Sequence, residues 1–103
     1  MKLWRNPDIV WRIEKRREQD ILQALERGED VSGRGTVILI ISGMMHQLNL
    51  VGGRIWALCD GNRNETEVAA ELAREFDAAE EEIAGDVAQF VAELMERGWL
   101  RRG

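Results

Sequence analysis

The sequence contains few of the residues that build redox and metal centres. Among its 103 residues there are one cysteine, Cys59, and one histidine, His46. A lone cysteine permits no disulfide within the chain, and these two side chains fall short of the four ligands of a structural zinc or iron–sulfur site. We therefore expect a protein without a metal or other cofactor that resides in a reducing cytoplasm.

Long hydrophobic runs and phosphate-binding loops are also missing. No wholly apolar run exceeds five residues, the length of residues 37–41, and the N-terminus is charged and polar. A transmembrane helix needs about 20 apolar residues, and a secretory signal needs an apolar segment behind a short basic start. The glycines Gly33, Gly35, Gly52 and Gly53 fit neither the dinucleotide nor the nucleoside-triphosphate fingerprint. The sequence thus predicts a soluble, unexported chain without a nucleotide site.

The composition that remains is typical of a globular protein. Apolar residues make up 45% and charged residues 32% of the chain, which is too apolar for a disordered segment. A chain of this length forms one folding unit with a modest core. We expect residues 1–103 to form a single domain whose functional site is a surface groove.

The charges are unevenly distributed along the chain. The net charge is −5, yet residues 1–17 carry six basic and two acidic groups, whereas residues 61–103 carry five basic and eleven acidic groups. The negative total disfavours a nucleic-acid partner. Solvated surface faces explain such a distribution, and the sharper alternative is that the basic end contacts an acidic partner.

The first part of the chain reads as a strand followed by a helix. Alternating apolar residues after Pro7 predict a strand at residues 8–14. Apolar residues at helical spacing then predict a short helix at residues 15–27 that ends at Gly28. Residues 29–35 are rich in glycine and polar side chains, which indicates a loop.

A hairpin is predicted at residues 36–48. Residues 36–41 are β-branched and apolar on both faces, as a covered central strand requires. Ser42 and Gly43 make the turn, and residues 44–48 form the third strand. Because residues 36–41 need neighbours on both sides, the third strand is expected at the edge of the sheet.

Three helices are predicted after the hairpin. Asn49 caps the first, and the helix-weakening residues Gly52 and Gly53 indicate a close approach of its backbone to the sheet. The other two helices open at sequences with the spacing of capping boxes, which are Asn64 with Glu67 and Asp77 with Glu80. The expected fold is α+β, a small three-stranded antiparallel sheet packed on a three-helix bundle.

Catalytic groups are scarce. Cys59 and His46 are the one conceivable nucleophile and base, but Cys59 lies on the apolar face of its helix, where a free cysteine behaves as a small hydrophobe. The glutamates at residues 80–82 suit the positive end of a helix dipole better than a metal site. We expect no enzymatic activity.

Five fragments in register resemble one known family. The stretch LNLVGGRIWALCDG at residues 48–61 looks like the signature of the PqqD family and contains two of the fragments, a Leu-Asn step and a helix that ends in Asp-Gly. The other three follow in the same order and spacing: a capped helix at residues 64–76, the pair Asp86-Val87 and the closing triplet at residues 98–100. The resemblance covers residues 36–101. The chain departs from the family at residues 15–35, where PqqD has a much shorter connection.

The resemblance carries an expectation for fold and function. It implies a winged-helix-like RiPP recognition element, a non-enzymatic chaperone that binds the leader of a ribosomally made precursor peptide and presents it to a radical SAM enzyme. The segments at residues 4–7 and 44–49 look closer to the PqqD-like chaperones of radical SAM/SPASM maturases in Geobacter-type systems than to PqqD itself. Peptide chaperoning is thus favoured over pyrroloquinoline quinone synthesis as such.

In that family the leader adds as an extra strand beside the third strand, in a cleft against the last helix. An exposed edge strand suits this mechanism, since its unpaired backbone groups can bind an extended peptide. The implied peptide-binding residues are Met44, Met45, His46, Gln47 and Leu48 on the third strand and Asp86, Gln89, Phe90 and Glu93 on the last helix. Core filling by the methionines and a solvated face for Glu93 are the alternatives.

Two other classes of protein fit the order of elements. A winged-helix DNA-binding regulator shares it, but the acidic residues of the helices at 64–97 would repel phosphates. A structural dimerisation domain is the other alternative, because no glycine or proline separates those helices, and their fusion could exchange elements between two chains. We therefore expect a monomer or a domain-swapped homodimer.

Overall fold

The computed structural model describes all 103 residues, which divide into two compact units. We call residues 8–53 the hairpin unit, and residues 1–7 together with 54–103 the helical unit. The elements in chain order are β1 (Leu3–Arg5), β2 (Val10–Ile13), α1 (Lys15–Glu26), β3 (Gly35–Ile41), β4 (Met44–Asn49), α2 (Leu50–Leu58), β5 (Asp60–Arg63), α3 (Glu65–Phe76), α4 (Glu80–Glu96) and β6 (Leu100–Arg102). Four helices and two antiparallel sheets confirm the α+β class.

The hairpin unit is built on an antiparallel sheet with the strand order β2-β3-β4. Ser42 and Gly43 both have positive φ angles, 52° and 78°, which is the signature of a type I′ turn and matches the twist of the flanking strands. The predicted strands, the hairpin and the central place of β3 are therefore confirmed.

The two faces of this sheet differ in exposure. Val37, Leu39 and Leu48 lie on one face and are buried. Ile40 and Met45 are cross-strand neighbours on the other face and are exposed. The sheet thus has one face in the core and one in solvent, although apolar residues occupy both.

Gly53 of α2 lies directly against β3. A Cβ atom at Gly53 would be 2.7 Å from Thr36 Oγ1 and 2.8 Å from Val37 Cγ2. Asn49 caps this helix by accepting a hydrogen bond from the Gly52 N–H at 2.9 Å. The cap and the close backbone approach expected from the paired glycines are both present.

The helical unit contains a second sheet that the sequence did not predict, with the strand order β5-β1-β6. Its central strand pairs antiparallel with β5 and β6, so that Leu3 lies opposite Arg63 and Arg102. Leu3 and Leu100 are both buried. These strands are three or four residues long, too short to give an alternating pattern of their own.

The sequence predicts capping boxes at the starts of α3 and α4, and the structure contains the first but not the second. The capping box at α3 is present: the Glu67 N–H donates to Asn64 Oδ1 at 2.8 Å, and the Asn64 N–H donates to Glu67 Oε1 at 3.0 Å. The latter bond lowers the pKa of Glu67. The prediction of a second box, formed by Asp77 and Glu80, is wrong. Asp77 is instead the C-cap of α3, in the left-handed conformation with φ 49°, and the N-cap of α4 is Ala79.

None of these helices combines the length and hydrophobicity that a membrane span requires.

Candidate functional site

Successive residues of β3 form their backbone hydrogen bonds alternately with β2 and with β4. This alternation determines which backbone groups of β4 have no partner in the sheet. The Glu14 N–H donates to the Thr36 carbonyl at 2.8 Å, which puts residue 36 in the series of β3 residues that bond toward β2. Ile38 and Ile40 continue that series in steps of two. The alternate β3 residues therefore bond toward β4.

Those alternate β3 residues pair with Met44, His46 and Leu48. In β4 the two residues between them, Met45 and Gln47, therefore direct their N–H and C=O groups away from β3. Since β4 is the terminal strand of its sheet, these groups form an open edge. As predicted, the third strand is an edge strand of its sheet.

The side chains of β4 differ in their exposure. Leu48 is buried and His46 is half-buried, whereas Met44, Met45 and Gln47 are exposed. Both methionines are 63% exposed, so core filling does not account for them. Exposed, flexible thioether side chains can adapt to apolar groups of a ligand.

The predicted residues of the last helix share one face of α4 within the helical unit. Asp86, Gln89 and Glu93 are exposed and Phe90 is half-buried, beside a buried stripe that includes Val87. Gln89 Nε2 lies 3.5 Å from Glu93 Oε1, within reach of a hydrogen bond. This face of α4 is therefore acidic and polar around one aromatic ring.

Polar residues in the signature stretch at residues 48–61 form hydrogen bonds that stabilise the local structure. Besides capping α2, Asn49 donates from Nδ2 to the Ser32 carbonyl at 3.2 Å. Burial disfavours ionisation of Asp60, but the hydrogen bond from the Asn62 N–H and the charge of Arg63 outweigh this and hold its pKa below the usual value. Asn49 and Asp60 of this stretch thus hold the neighbouring backbone in place through hydrogen bonds to main-chain groups.

Cys59 is unsuited to nucleophilic catalysis. It has no exposed surface, and burial raises the pKa of its thiol from an ordinary 9.0 to about 12, although the charge of Arg5 acts in the opposite direction. The reactive form of cysteine is the thiolate, so this side chain stays inert near neutral pH. No group of three His, Cys, Asp or Glu side chains is placed to hold a metal ion.

We expect the folded protein to resist alkylation at Cys59 by iodoacetamide near neutral pH, and the denatured protein to react at the rate of a free thiol. Mass spectrometry of the intact chain over time measures both rates. The contribution of this thiol to the free energy of unfolding is fully present below about pH 9 and declines as the pH rises toward about 12. The reason is that the thiol loses its proton at a lower pH in the unfolded chain than in the folded chain. Rapid labelling of the folded chain would contradict the buried environment.

Comparison with known proteins gives the family. Residues 33–100 match the family described as Coenzyme PQQ synthesis protein D (PqqD). The chain belongs to the PqqD family. It is 39% identical over 67 residues to the PqqA binding protein of Rhizobium meliloti, a match that covers 65% of this chain and 68% of the relative. It is 37% identical over 65 residues to the PqqA binding protein of Methylococcus capsulatus, covering 63% and 67%.

A solved structure of a PqqD protein shares the fold. The solution NMR structure of the PqqD truncation of Methylobacterium extorquens PqqCD, a functional and stand-alone RiPP recognition element, has a TM-score of 0.64 at 17% identity. The match covers 97% of this chain and 88% of that chain. The PqqD sequence match begins at residue 33, so β1, β2 and α1 precede the part of the chain that the family sequence describes.

Proposed function

We propose that this PqqD family chain is a peptide chaperone that binds the leader of a ribosomally made precursor by strand addition to β4. The open edge at Met45 and Gln47 carries the proposal, because it offers two sets of backbone donors and acceptors that β3 does not use. The names of the two relatives, both PqqA binding proteins, support a peptide as the ligand.

Strand addition suits a chain with few catalytic groups. Backbone hydrogen bonds supply affinity for any extended peptide, and alternate side chains along the edge supply specificity. Such binding needs neither a metal nor an ionised nucleophile, which agrees with the buried thiol of Cys59. We propose that the protein is non-enzymatic and that a radical SAM enzyme modifies the peptide it holds.

Further parts of the proposal rest on the composition of the chain and on the family resemblance. A winged-helix-like arrangement, a cytoplasmic location and a single peptide-binding domain over residues 1–103 belong to it. The α4 face formed by Asp86, Gln89, Phe90 and Glu93 stays a predicted peptide contact, in which the two carboxylates would favour a basic or amide-rich segment.

The proposal is tested by titrating the ¹⁵N-labelled protein with synthetic PqqA of Rhizobium meliloti. We expect saturable amide shifts concentrated at residues 44–48, with the amides of Met45 and Gln47 becoming protected from solvent exchange. Saturable shifts confined to other elements would contradict strand addition. An absence of shifts would remove PqqA from the ligands of this chain.

A further inference from the structure

An apolar row crosses the solvent face of the hairpin unit's sheet. The register places Val10 of β2 opposite Ile40 of β3, and Ile40 opposite Met45 of β4. These three side chains are 68%, 39% and 63% exposed, respectively. Directly paired residues have their Cβ atoms about 4.5–5.5 Å apart on one face of a sheet, so the three form one continuous apolar strip, here called the solvent-face row.

An open pocket of about 300 Å³ lies over the solvent-face row. Its lining residues are Val10, Trp11, Arg12, Ile38, Ile40 and Met45. Arg12 supplies the one charge among them, and its guanidinium is paired with Glu14 at 3.0 Å. With that charge already compensated, the pocket is better suited to a neutral apolar side chain than to an acid.

The row ends at the open edge of β4. Met45 belongs to the pocket and is also one of the two residues whose backbone groups point away from β3. A strand added to that edge places the residue paired with Met45 on the same face as Met45. That residue would extend the solvent-face row by one position.

We infer that the solvent-face row is a specificity subsite for the bound peptide, which takes one large apolar side chain from the residue that pairs with Met45. The inference rests on the proposed strand addition and assigns the chemistry of one peptide position. The neighbouring outward position, paired with Gln47, faces a polar amide and favours a hydrogen-bonding side chain. Val10 comes from β2, which lies before residues 33–100 that match the family model, whereas Ile40 and Met45 lie within them.

The test is a selection of phage-displayed random peptides on the 103-residue protein. Nuclear Overhauser contacts to Met45 identify the peptide residue that pairs with it. We expect Leu, Ile, Met or Phe at that residue, and about tenfold weaker binding by the variants Val10→Lys and Ile40→Thr. A repeat selection on Ile40→Lys should replace the apolar residue with an acidic one.

Leu22→Lys is the matched control, because Leu22 is as exposed as Ile40 and belongs to the same unit but lies on α1. It should leave affinity and selected residues unchanged, and circular dichroism confirms that all variants are folded. Peptides that contact β4 but show no preference at the Met45-paired residue would overturn the subsite alone. Peptides that bind without contacting β4 would overturn strand addition and the subsite with it.

Discussion

Replacing Gln47 with proline is expected to remove peptide binding while the protein remains folded. Proline lacks the N–H, and its ring occupies the place where a partner strand would approach. Since the Gln47 N–H points away from β3, no hydrogen bond within the sheet is lost. A missing bond together with an unsatisfied peptide carbonyl costs about 2–4 kcal/mol, or about 30-fold or more in affinity. Isothermal titration with PqqA or a selected peptide measures the loss.

The matched control is Gln47→Ala, which retains the backbone donor and removes the side chain. We expect it to bind within a few-fold of the unaltered protein, and Met45→Pro to behave like Gln47→Pro. Equal affinity of a folded Gln47→Pro variant and the unaltered protein would rule out strand addition at this edge. A Gln47→Ala variant as weak as the proline variant would show that the side chain provides the affinity.

Gly53→Ala is expected to destabilise the fold by about 2 kcal/mol. The new methyl group would lie 2.7 Å from Thr36 Oγ1 and 2.8 Å from Val37 Cγ2, and both side chains are fully buried, so neither can turn into solvent. Overpacking of this kind costs about 1–3 kcal/mol or more, which exceeds the gain of about 1 kcal/mol from replacing a helical glycine. Urea unfolding followed by circular dichroism measures the difference.

Gly85→Ala provides the comparison for this substitution. Gly85 is exposed within α4, and a Cβ atom there would meet no other atom within 4 Å. The same change of residue should therefore stabilise the protein by about 0.5–1 kcal/mol. Equal effects of the two substitutions would mean that the contact between α2 and β3 is not as tight as described.

The parts of the fold that the sequence predicted are those encoded by neighbouring residues. The hairpin depends on Ser42 and Gly43 between two β-rich segments, and the capping box of α3 depends on Asn64 and Glu67. Both signals lie within a few residues of the structure they specify. The edge position of β4 followed from the apolar character of β3 on both faces.

The second sheet was missed because its pairings join distant residues. Leu3 pairs with Arg63 and Arg102, and each strand is too short to show a period. The capping box predicted at Asp77 was wrong for a different reason. An aspartate three residues before a glutamate fits an N-cap, but aspartate also tolerates the left-handed conformation of a helix C-cap.

Only part of the candidate site could be predicted from the sequence. Residues 44–48 could be assigned to an edge strand, but their division into inward- and outward-directed backbone groups requires the register with β3. The solvent-face row could be predicted only in part. The turn at Ser42 and Gly43 places Ile40 opposite Met45, but no local pattern aligns Val10 of β2 with Ile40.

The place of β1 in its sheet also constrains the order in which the protein can fold during translation. The strand order β2-β3-β4 is complete once residue 49 has been synthesised. In contrast, β1 precedes β5 and β6 in the sequence but lies between them in the sheet, and its pairing with β6 requires residues 100–102. During translation the strands β2, β3 and β4 can therefore pair before β1 has both of its neighbours, which β1 acquires only after residues 100–102 have been synthesised.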